Sequence, residues 1–421
     1  MARMNHSPAS EITASLDFGR EPVHAGTLAL SAEGRIYFEH APTLPRSLEI
    51  SPLRLPRQPG LITFDPMLFE GLPGVFHDSL PDGWGRLLFY RLARSKGIAP
   101  NQLTALDRLA HVGHGGMGAL VYEPDLSSRR FSDALNIDDL ALKTQQVLRG
   151  SAEYVLEELV ALNGSSAGAR PKAMVSIRPT GSQIIHGATG KIFRDYAPWL
   201  VKFPNTEDGP DAGAIEYVYS LMAREAGVFM SETRLLPAKN GPGYFTTRRF
   251  DRKESEGGMT RLHVHTAGGL LHSDFRTPSL DYEDLLALTE IMTRDMREVE
   301  KMYRHAVFNV MSHNRDDHAK NFSFVMDPGG EWKLSPAYDI TFSSGPGGQQ
   351  STTVLGEGKD PSSEHLKALG KKANLDDKTI AGIIESTRHA LSNWETLARQ
   401  HRVNKTNIRL VAEAIDRLNR S

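Results

Sequence analysis

Between an apolar helical pattern over residues 302–311 and an alternating pattern over 322–326 stands Ser312-His313-Asn314-Arg315-Asp316-Asp317-His318-Ala319-Lys320-Asn321. Acids, cations, histidines and asparagines at that density are costly to bury between two core elements, so the stretch reads as a site. Asp316 and Asn321 have the spacing Asp-x-x-x-x-Asn of a protein-kinase catalytic loop. In such a loop the carboxylate takes the proton of an attacking hydroxyl and the amide oxygen holds a metal ion. Phosphoryl transfer asks mainly for positioning and charge neutralisation, with one carboxylate aimed at the nucleophile. Asp316 suits that role, and Asn321 offers a neutral oxygen to Mg²⁺. Asp317 is a rival base, but only Asp316 has the asparagine at the right distance. Acids that merely cap a helix or turn are the ordinary alternative.

A second metal ligand is expected close by. Residues 322–326 and 331–334 read as a hairpin around Asp327-Pro-Gly-Gly330, and Asp339 of Ser335-Pro-Ala-Tyr-Asp339-Ile340 falls just past its second strand. An aspartate in a turn after Pro336 is commonplace, and it is Asn321 that favours a ligand here. Nucleotide phosphates also call for a lysine. Trp199-Leu-Val-Lys202-Phe-Pro204 carries one charge in an apolar strand, and the following helix offers Glu216 as its ion-pair partner. The bland reading of Lys202 is a surface lysine on a half-buried strand.

Phosphates favour backbone N–H groups in a small-residue turn, and three stretches compete. Gly113-His-Gly115-Gly-Met-Gly118 matches G-x-G-x-x-G, yet a helix precedes it and a strand follows, the reverse of the dinucleotide-binding order. The stretch at Gly190-Lys191 fails the phosphate-loop pattern at both ends, with Ile185 and Ile192 in place of Gly and Ser or Thr. Gly164-Ser165-Ser166-Ala167-Gly168-Ala169-Arg170-Pro171-Lys172 is the best candidate, with a flexible connector as its alternative. His263, His265 and His272 could cluster, but no Cys or His-Glu-x-x-His pattern supports zinc, so they read as loop or substrate-side histidines.

These residues need positioning elements. An alternating pattern over 12–40, turning at Ala32-Glu33-Gly34, predicts a hairpin, and prolines then punctuate short strands and loops to about residue 75. Helices are predicted over 82–96, stopped by Gly97, and over 102–110, 137–148 and 152–162. Strands follow at 173–177, 199–203 and 244–250, with a helix at 214–226. Beyond Arg252 helices dominate: 282–295, 299–311, 374–402 with an early break, and 405–419. The pattern predicts an α+β chain in two lobes with the seam near Arg252: an N-terminal lobe made of a subdomain over residues 1–135 and a remainder over 136–251, and a helical C-terminal lobe over 252–421.

With 421 residues, 39% of them hydrophobic and 24% charged, the chain has the makings of a sizeable soluble core. Its 49 Lys and Arg against 51 Asp and Glu argue for no polyanion and no anionic membrane as a bulk partner. The absence of cysteine excludes disulfides, thiolate metal sites and cysteine nucleophiles, and fits the cytoplasm. No run of about 18 apolar residues appears, and residues 1–10 lack the apolar core of a signal peptide.

Taken together, the chain resembles the HipA family, the serine/threonine kinase toxins of bacterial toxin–antitoxin pairs. The resemblance rests on His313-Asn-Arg-Asp-Asp-His-Ala-Lys-Asn321 with Phe322-Ser-Phe324, on Ser335-Pro-Ala-Tyr-Asp-Ile340, on Leu200-Val-Lys-Phe-Pro204 and on Arg249-Phe-Asp-Arg252. It reaches the N-terminal region through Asp78-Ser-Leu-Pro-Asp82 and Gly116-Met-Gly-Ala-Leu120. It implies a kinase-like two-lobed fold with an extra N-terminal subdomain and a mostly helical C-terminal lobe. It also implies ATP and Mg²⁺ as cofactors, Asp316 as base, Asn321 and Asp339 as metal ligands and Lys202 on the phosphates. Arg248 and Phe250 would stand at the hinge beside adenine, with Asp251 near the ribose. His318 occupies a position where ordinary protein kinases carry lysine, as it does in the family. Family members phosphorylate a serine of their own phosphate loop, which matches Ser165 here with Ser166 as neighbour. Such a modification would add roughly −1.5 to −2 charges where ATP should sit. The implied partner is a small helix-turn-helix antitoxin, through which operator DNA would be bound indirectly. The implied substrate is a protein, aminoacyl-tRNA synthetases being family targets. A small-molecule kinase and a catalytically silent co-repressor are the rival readings.

Overall fold

The computed structural model describes residues 8–127, 134–150, 155–165, 168–179, 183–187, 195–255, 258–277 and 279–419. The alternating pattern near the start becomes a five-stranded antiparallel sheet, ordered Ile62–Thr63, Ile36–His40, Val23–Leu30, Glu11–Leu16 and Leu120–Glu123. Strand Glu11–Leu16 buries Ile12, Ala14 and Leu16 completely, as a period of two on one covered face requires. Gly26 is needed opposite His40, because a Cβ there would lie 2.3 Å from the Glu39 oxygen and 2.5 Å from the Phe38 ring. Among the prolines of residues 42–66 only the two-residue strand Ile62–Thr63 forms, fewer strands than expected, since each proline removes a ladder donor.

A second antiparallel sheet runs Ile184–His186, Lys172–Ile177, Ala197–Lys202, Tyr244–Arg248 and Thr233–Leu236, with helix Ala212–Glu225 packed against it. The remainder is mainly helical, built from Tyr282–Thr293, Met296–Met311, Ser363–Lys372, Asp377–Leu391, Trp394–Gln400 and Lys405–Asn419. Helix Met296–Met311 opens on Asp295, whose carboxylate accepts from the Arg297 N–H, and buries Val299, Met302, Tyr303, Ala306 and Val310 at helical spacing. It ends at Met311, and His313, with φ of +60°, then turns the chain into the polar stretch. That stretch leads into a three-stranded sheet of His263–Thr266, Ser323–Met326 and Trp332–Leu334.

Two features differ from the helical reading beyond Arg252. The pair Arg252–Ser255 with Gly258–Arg261, and strand His263–Thr266 after it, are β-structure. Their inward positions are arginine and histidine, so no hydrophobic alternation marks them. Histidines 263 and 265 are accordingly neither loop nor substrate-side residues. The His263 Nε2 lies 2.9 Å from the Ile50 oxygen, and His265 bridges Ser51 Oγ at 2.9 Å and Asp78 Oδ2 at 2.6 Å. Both fasten the N-terminal region to the C-terminal lobe. The expected long helix over 374–402 divides at Ser392-Asn393, and Ser363–Lys372 is an additional helix.

The cores explain why the parts hold together. One large cluster joins Leu28, Phe38 and Phe76 to Leu270, Tyr282, Phe322 and Trp394. A smaller one takes Trp84, Leu88 and Leu92 of helix Gly83–Ser95 into contact with Leu140, Leu159, Val175 and Trp199. A helix from the first expected region therefore completes the core of the second. Among the described residues no helix is long and apolar enough to cross a membrane.

Burial pushes the imidazoles of His77, His263 and His305 from 6.5 down to about 4. Each stays neutral in the fold, while the unfolded chain would charge as pH drops below the ordinary histidine value. The stability this provides is complete above pH 6.5 and is lost as pH falls toward about 4. The urea midpoint is expected to fall across that window. It should fall less steeply in His305→Phe, which fills the same space against the Phe322 ring at 5.1 Å.

Candidate functional site

Lys202 ends strand Ala197–Lys202 and lies opposite Lys172 in antiparallel register, so the two side chains share a face. The Lys202 ammonium donates to Glu216 Oε1 at 2.5 Å and to Asp339 Oδ1. Glu216 is buried on helix Ala212–Glu225 and also stands 3.8 Å from Arg170, which itself pairs with Asp208 at 3.2 Å. Burial pushes the Glu216 carboxyl upward, with Lys202 opposing and Asp339 reinforcing that push. Burial would raise Asp339 too, but Lys202, Lys172 and Arg170 outweigh it and hold the carboxyl below the usual range. Asp339 has φ +57°, a left-handed backbone that aims its side chain back toward the strands.

The polar stretch is held from behind. One turn along the helix from Glu216, the Tyr219 hydroxyl donates to the Ser312 oxygen at 2.7 Å. Asn314 donates to Asn309 at 2.9 Å, Asn309 to the Tyr282 hydroxyl at 3.0 Å, and Tyr282 to Asp317 at 2.6 Å. Asp317 is fully buried and also accepts from the Ser351 and Thr352 N–H groups at 2.9 and 3.2 Å. It pins the segment after Asp339, and Arg315 helps by donating to the Gly348 and Lys359 carbonyls. Asp316 instead is exposed. The protein around its base and the Asp339 carboxylate push its pKa upward, against the pull of His318. Of the two neighbouring acids, Asp316 is the one presented to a reactant. Asn321 donates its amide to the Asp316 carbonyl at 2.7 Å, which leaves the amide oxygen as the atom it can offer. The His318 ring lies 5.1 Å from Phe275, with its buried Nδ1 lacking a hydrogen-bond partner.

The small-residue loop is described at Gly164, Ser165 and from Gly168 onward, whereas Ser166 and Ala167 lie outside the described residues, as do Gly190 and Lys191. Ser165 is buried, its hydroxyl accepting from the Met117 N–H at 2.7 Å. Gly168, at φ +106°, donates to Asp82 and accepts from the Trp84 N–H at 3.1 Å, while Ala169 is exposed. Lys172 is buried within electrostatic reach of Asp339. The glycines of 113–118 form no phosphate cradle. The Met117 N–H serves Ser165 and the Gly118 N–H serves Asp251 at 2.7 Å, while the Gly116 and Gly118 carbonyls accept from Arg249, Arg252 and Arg261.

At the expected hinge, Phe250 stacks on Tyr338 with ring centroids 5.4 Å apart, next to Asp339 in sequence. Arg248 points outward to Glu254 and stands 3.9 Å from Glu232. Asp251 departs from the expected ribose contact. It is fully enclosed, and its oxygens accept from Arg249 at 2.7 and 3.0 Å, from Arg252 at 2.5 Å and from Gly118. Those arginines hold its carboxyl far below the usual range despite burial. A carboxylate so enclosed, with four donors already upon it, is not open to a sugar hydroxyl.

Lys202, Glu216, Asp339, Asp316, Asn321, Lys172 and His318 are thus gathered in one region from separate segments. Two oxygen donors, Asp339 and Asn321, beside Lys202, Lys172 and Arg170 fit a polyphosphate with a hard divalent cation. No group of three or more His, Asp or Glu able to hold a metal by itself occurs among the described residues. Sequence reasoning missed Arg170, and it missed Asp82 and Lys320 as members of the site. Asp82 directly precedes a helix, where an aspartate looks like an ordinary cap.

Two family descriptions match the chain, "HipA N-terminal domain" over residues 20–123 and "HipA-like C-terminal domain" over residues 164–394. Among curated proteins, "Putative kinase Y4mE" of Sinorhizobium fredii is 26% identical over 345 residues, covering 77% of this chain and 71% of its own length. Among solved structures, the Shewanella oneidensis MR-1 toxin–antitoxin complex of HipA, HipB and operator DNA contains a similar chain. It superposes with a TM-score of 0.67 at 15% identity, covering 97% of this chain and 95% of that one. That likeness carries the fold, and the two-lobed α+β architecture expected from the sequence agrees with it.

The structural role of Asp251 has a measurable consequence. Asp251→Ala leaves Arg249 and Arg252 buried without their counter-ion and should cost about 3–5 kcal/mol. The shift is read from the urea midpoint. A variant with native stability and selectively weaker nucleotide binding would instead restore the ribose contact.

Proposed function

The chain belongs to the HipA family, and from that premise we propose that it is an ATP- and Mg²⁺-dependent protein serine/threonine kinase, the toxin of a toxin–antitoxin pair. The observation that carries this reading is the Lys202 ammonium held between Glu216 and Asp339, with exposed Asp316 and the amide of Asn321 beside them. A lysine–glutamate pair together with a metal-binding aspartate is the assembled state of a kinase site.

In this reading magnesium ATP supplies the transferable phosphoryl group and the metal's positive charge. Lys202 and Lys172 neutralise phosphate oxygens from the strand side, and Glu216 fixes the Lys202 ammonium in place. Asp316 accepts the proton of the attacking serine or threonine hydroxyl. Burial and the Asp339 carboxylate raise its pKa, which makes it a stronger base than an ordinary carboxylate. Asn321 and Asp339 supply oxygen ligands to the metal, and Asn321 also braces the Asp316 backbone. His318 lies within electrostatic reach of Asp316, where it can meet the transferred group. Arg248, Phe250 and the backbone between them would border the base of the nucleotide.

Ser165 is the proposed autophosphorylation site. Its hydroxyl is buried against Met117, so a phosphate there could not be accommodated without moving the loop. The Shewanella complex, with its HipB chain and operator DNA, supports a helix-turn-helix antitoxin as partner. A net charge of −2 fits DNA contact made through that partner rather than by this chain. The substrate would be a protein, with an aminoacyl-tRNA synthetase as the family precedent.

Incubation with labelled Mg-ATP followed by peptide mapping tests the reading. The native chain should acquire phosphate on Ser165. Asp316→Asn should lose at least about 10²-fold in rate, the usual worth of a general base. Nucleotide binding without transfer, from protein shown unmodified beforehand, would point to a small-molecule kinase. Absence of nucleotide binding would leave a co-repressor.

A further inference from the structure

Asp82 stands directly before helix Gly83–Ser95 with an extended backbone, the place from which an aspartate normally caps the first turn. It makes no such bond. One carboxylate oxygen accepts instead from the Gly168 N–H of the small-residue loop, and the other accepts from the Lys320 ammonium at 3.0 Å. The next two residues serve the same contact. The Trp84 N–H donates to the Gly168 carbonyl at 3.1 Å. Gly83, at φ +42°, lets the loop approach so closely that a Cβ would lie 2.6 Å from both the Gly168 oxygen and the Ala169 Cα. Gly168 is therefore gripped at its N–H and its carbonyl by one short segment of the N-terminal region.

Lys320 is the other end of the tie. It lies between Asp316 and Asn321, it is buried, and its ammonium also sits 4.9 Å from the centre of the Phe275 ring. Its carbonyl accepts from the Tyr338 hydroxyl at 2.6 Å, and Tyr338 directly precedes Asp339. A continuous path runs from Gly168 through Asp82 and Lys320 to the backbone that carries Asp339. Both residues are buried, so the ion pair is not screened as a surface pair would be.

We propose that Asp82 is a positioning residue of the active site, setting the separation between the phosphate loop and the catalytic loop although it belongs to neither. The proposal rests on the kinase reading above. It makes the N-terminal region part of the catalytic apparatus, since the loop that holds phosphate is docked on that region's helix. Loss of the tie frees the loop, which weakens phosphate binding in ground and transition states alike, so KM for ATP rises more than kcat falls. Asp82→Asn keeps an oxygen for the Gly168 N–H and loses only the ion pair, whereas Asp82→Ala loses both bonds.

The test measures KM and kcat for Mg-ATP in the native chain, Asp82→Asn, Asp82→Ala, Lys320→Met and the Asp82→Asn/Lys320→Met double variant. Deuterium uptake of peptides covering Gly168 is followed in parallel. We expect KM to rise about tenfold in Asp82→Ala and less in Asp82→Asn, with faster uptake at Gly168. The double variant should be no worse than the poorer single variant, because both remove one ion pair. Native-like KM and uptake in a folded Asp82→Ala, or a fall in kcat alone, would overturn the proposal. If the native chain transfers no phosphate, the kinase reading fails by itself. Uptake at Gly168 then still decides whether Asp82 holds the loop: faster exchange in Asp82→Ala supports the tie and unchanged exchange overturns it.

Discussion

The site depends on keeping several charges together out of water. A lysine ammonium as enclosed as Lys202 is tolerable only when carboxylates sit against it, and Glu216 and Asp339 do so from two different elements. That requirement fixes much else. Glu216 must come from a helix lying across the sheet, and Asp339 must turn back through a left-handed residue after strand Trp332–Leu334. Lys172 and Arg170 bring further positive charge toward the same carboxylates. The result is a balanced cluster that a polyphosphate and its cation could enter by exchanging partners rather than by charging an apolar cleft.

A second enclosed set of charges governs how the N-terminal region meets the rest. Asp251 holds Arg249 and Arg252, Asp17 holds Arg261 at 3.1 Å, and the surplus arginine donors are met by carbonyls of Gly116 and Gly118. The glycines of that loop thus serve to bring backbone oxygens close to guanidinium groups. With the Asp78–His265–Ser51 hydrogen bonds and the shared hydrophobic core, they join the first sheet to the catalytic half at several points. The N-terminal region is consequently part of the fold that shapes the site and not an appended module.

Legibility followed the physics of each signal. Helix Ile137–Leu148 was marked by its helical periodicity, strand Lys172–Ile177 by a short apolar run, and helix Lys405–Asn419 by its amphipathic face. The strands at 252–266 carried their buried positions as Arg and His, so no hydrophobic pattern announced them. Asp251 looked like a ligand-facing acid because a sequence cannot show that two neighbouring arginines and a distant glycine N–H would enclose it. Asp82 read only as the start of the helix over 82–96 for the same reason, since its partners lie 86 and 238 residues away in the chain.

By itself the sequence determined which chemistry was on offer. Residue types and local spacing decide that a polar stretch carries Asp316 and Asn321 in register, that a lone lysine sits in an apolar strand, and that a small-residue turn precedes Lys172. These are short-range properties, written within a few residues of each other. Tertiary structure decided which of the neighbouring acids faces solvent, because enclosure of Asp317 depends on Tyr282 and on residues 350–352 folding over it. It also decided that Lys202 meets both Glu216 and Asp339, and that Asp82 reaches Gly168 and Lys320. Such contacts are set by how sheets, helices and cores pack across long sequence separations, which no local pattern encodes.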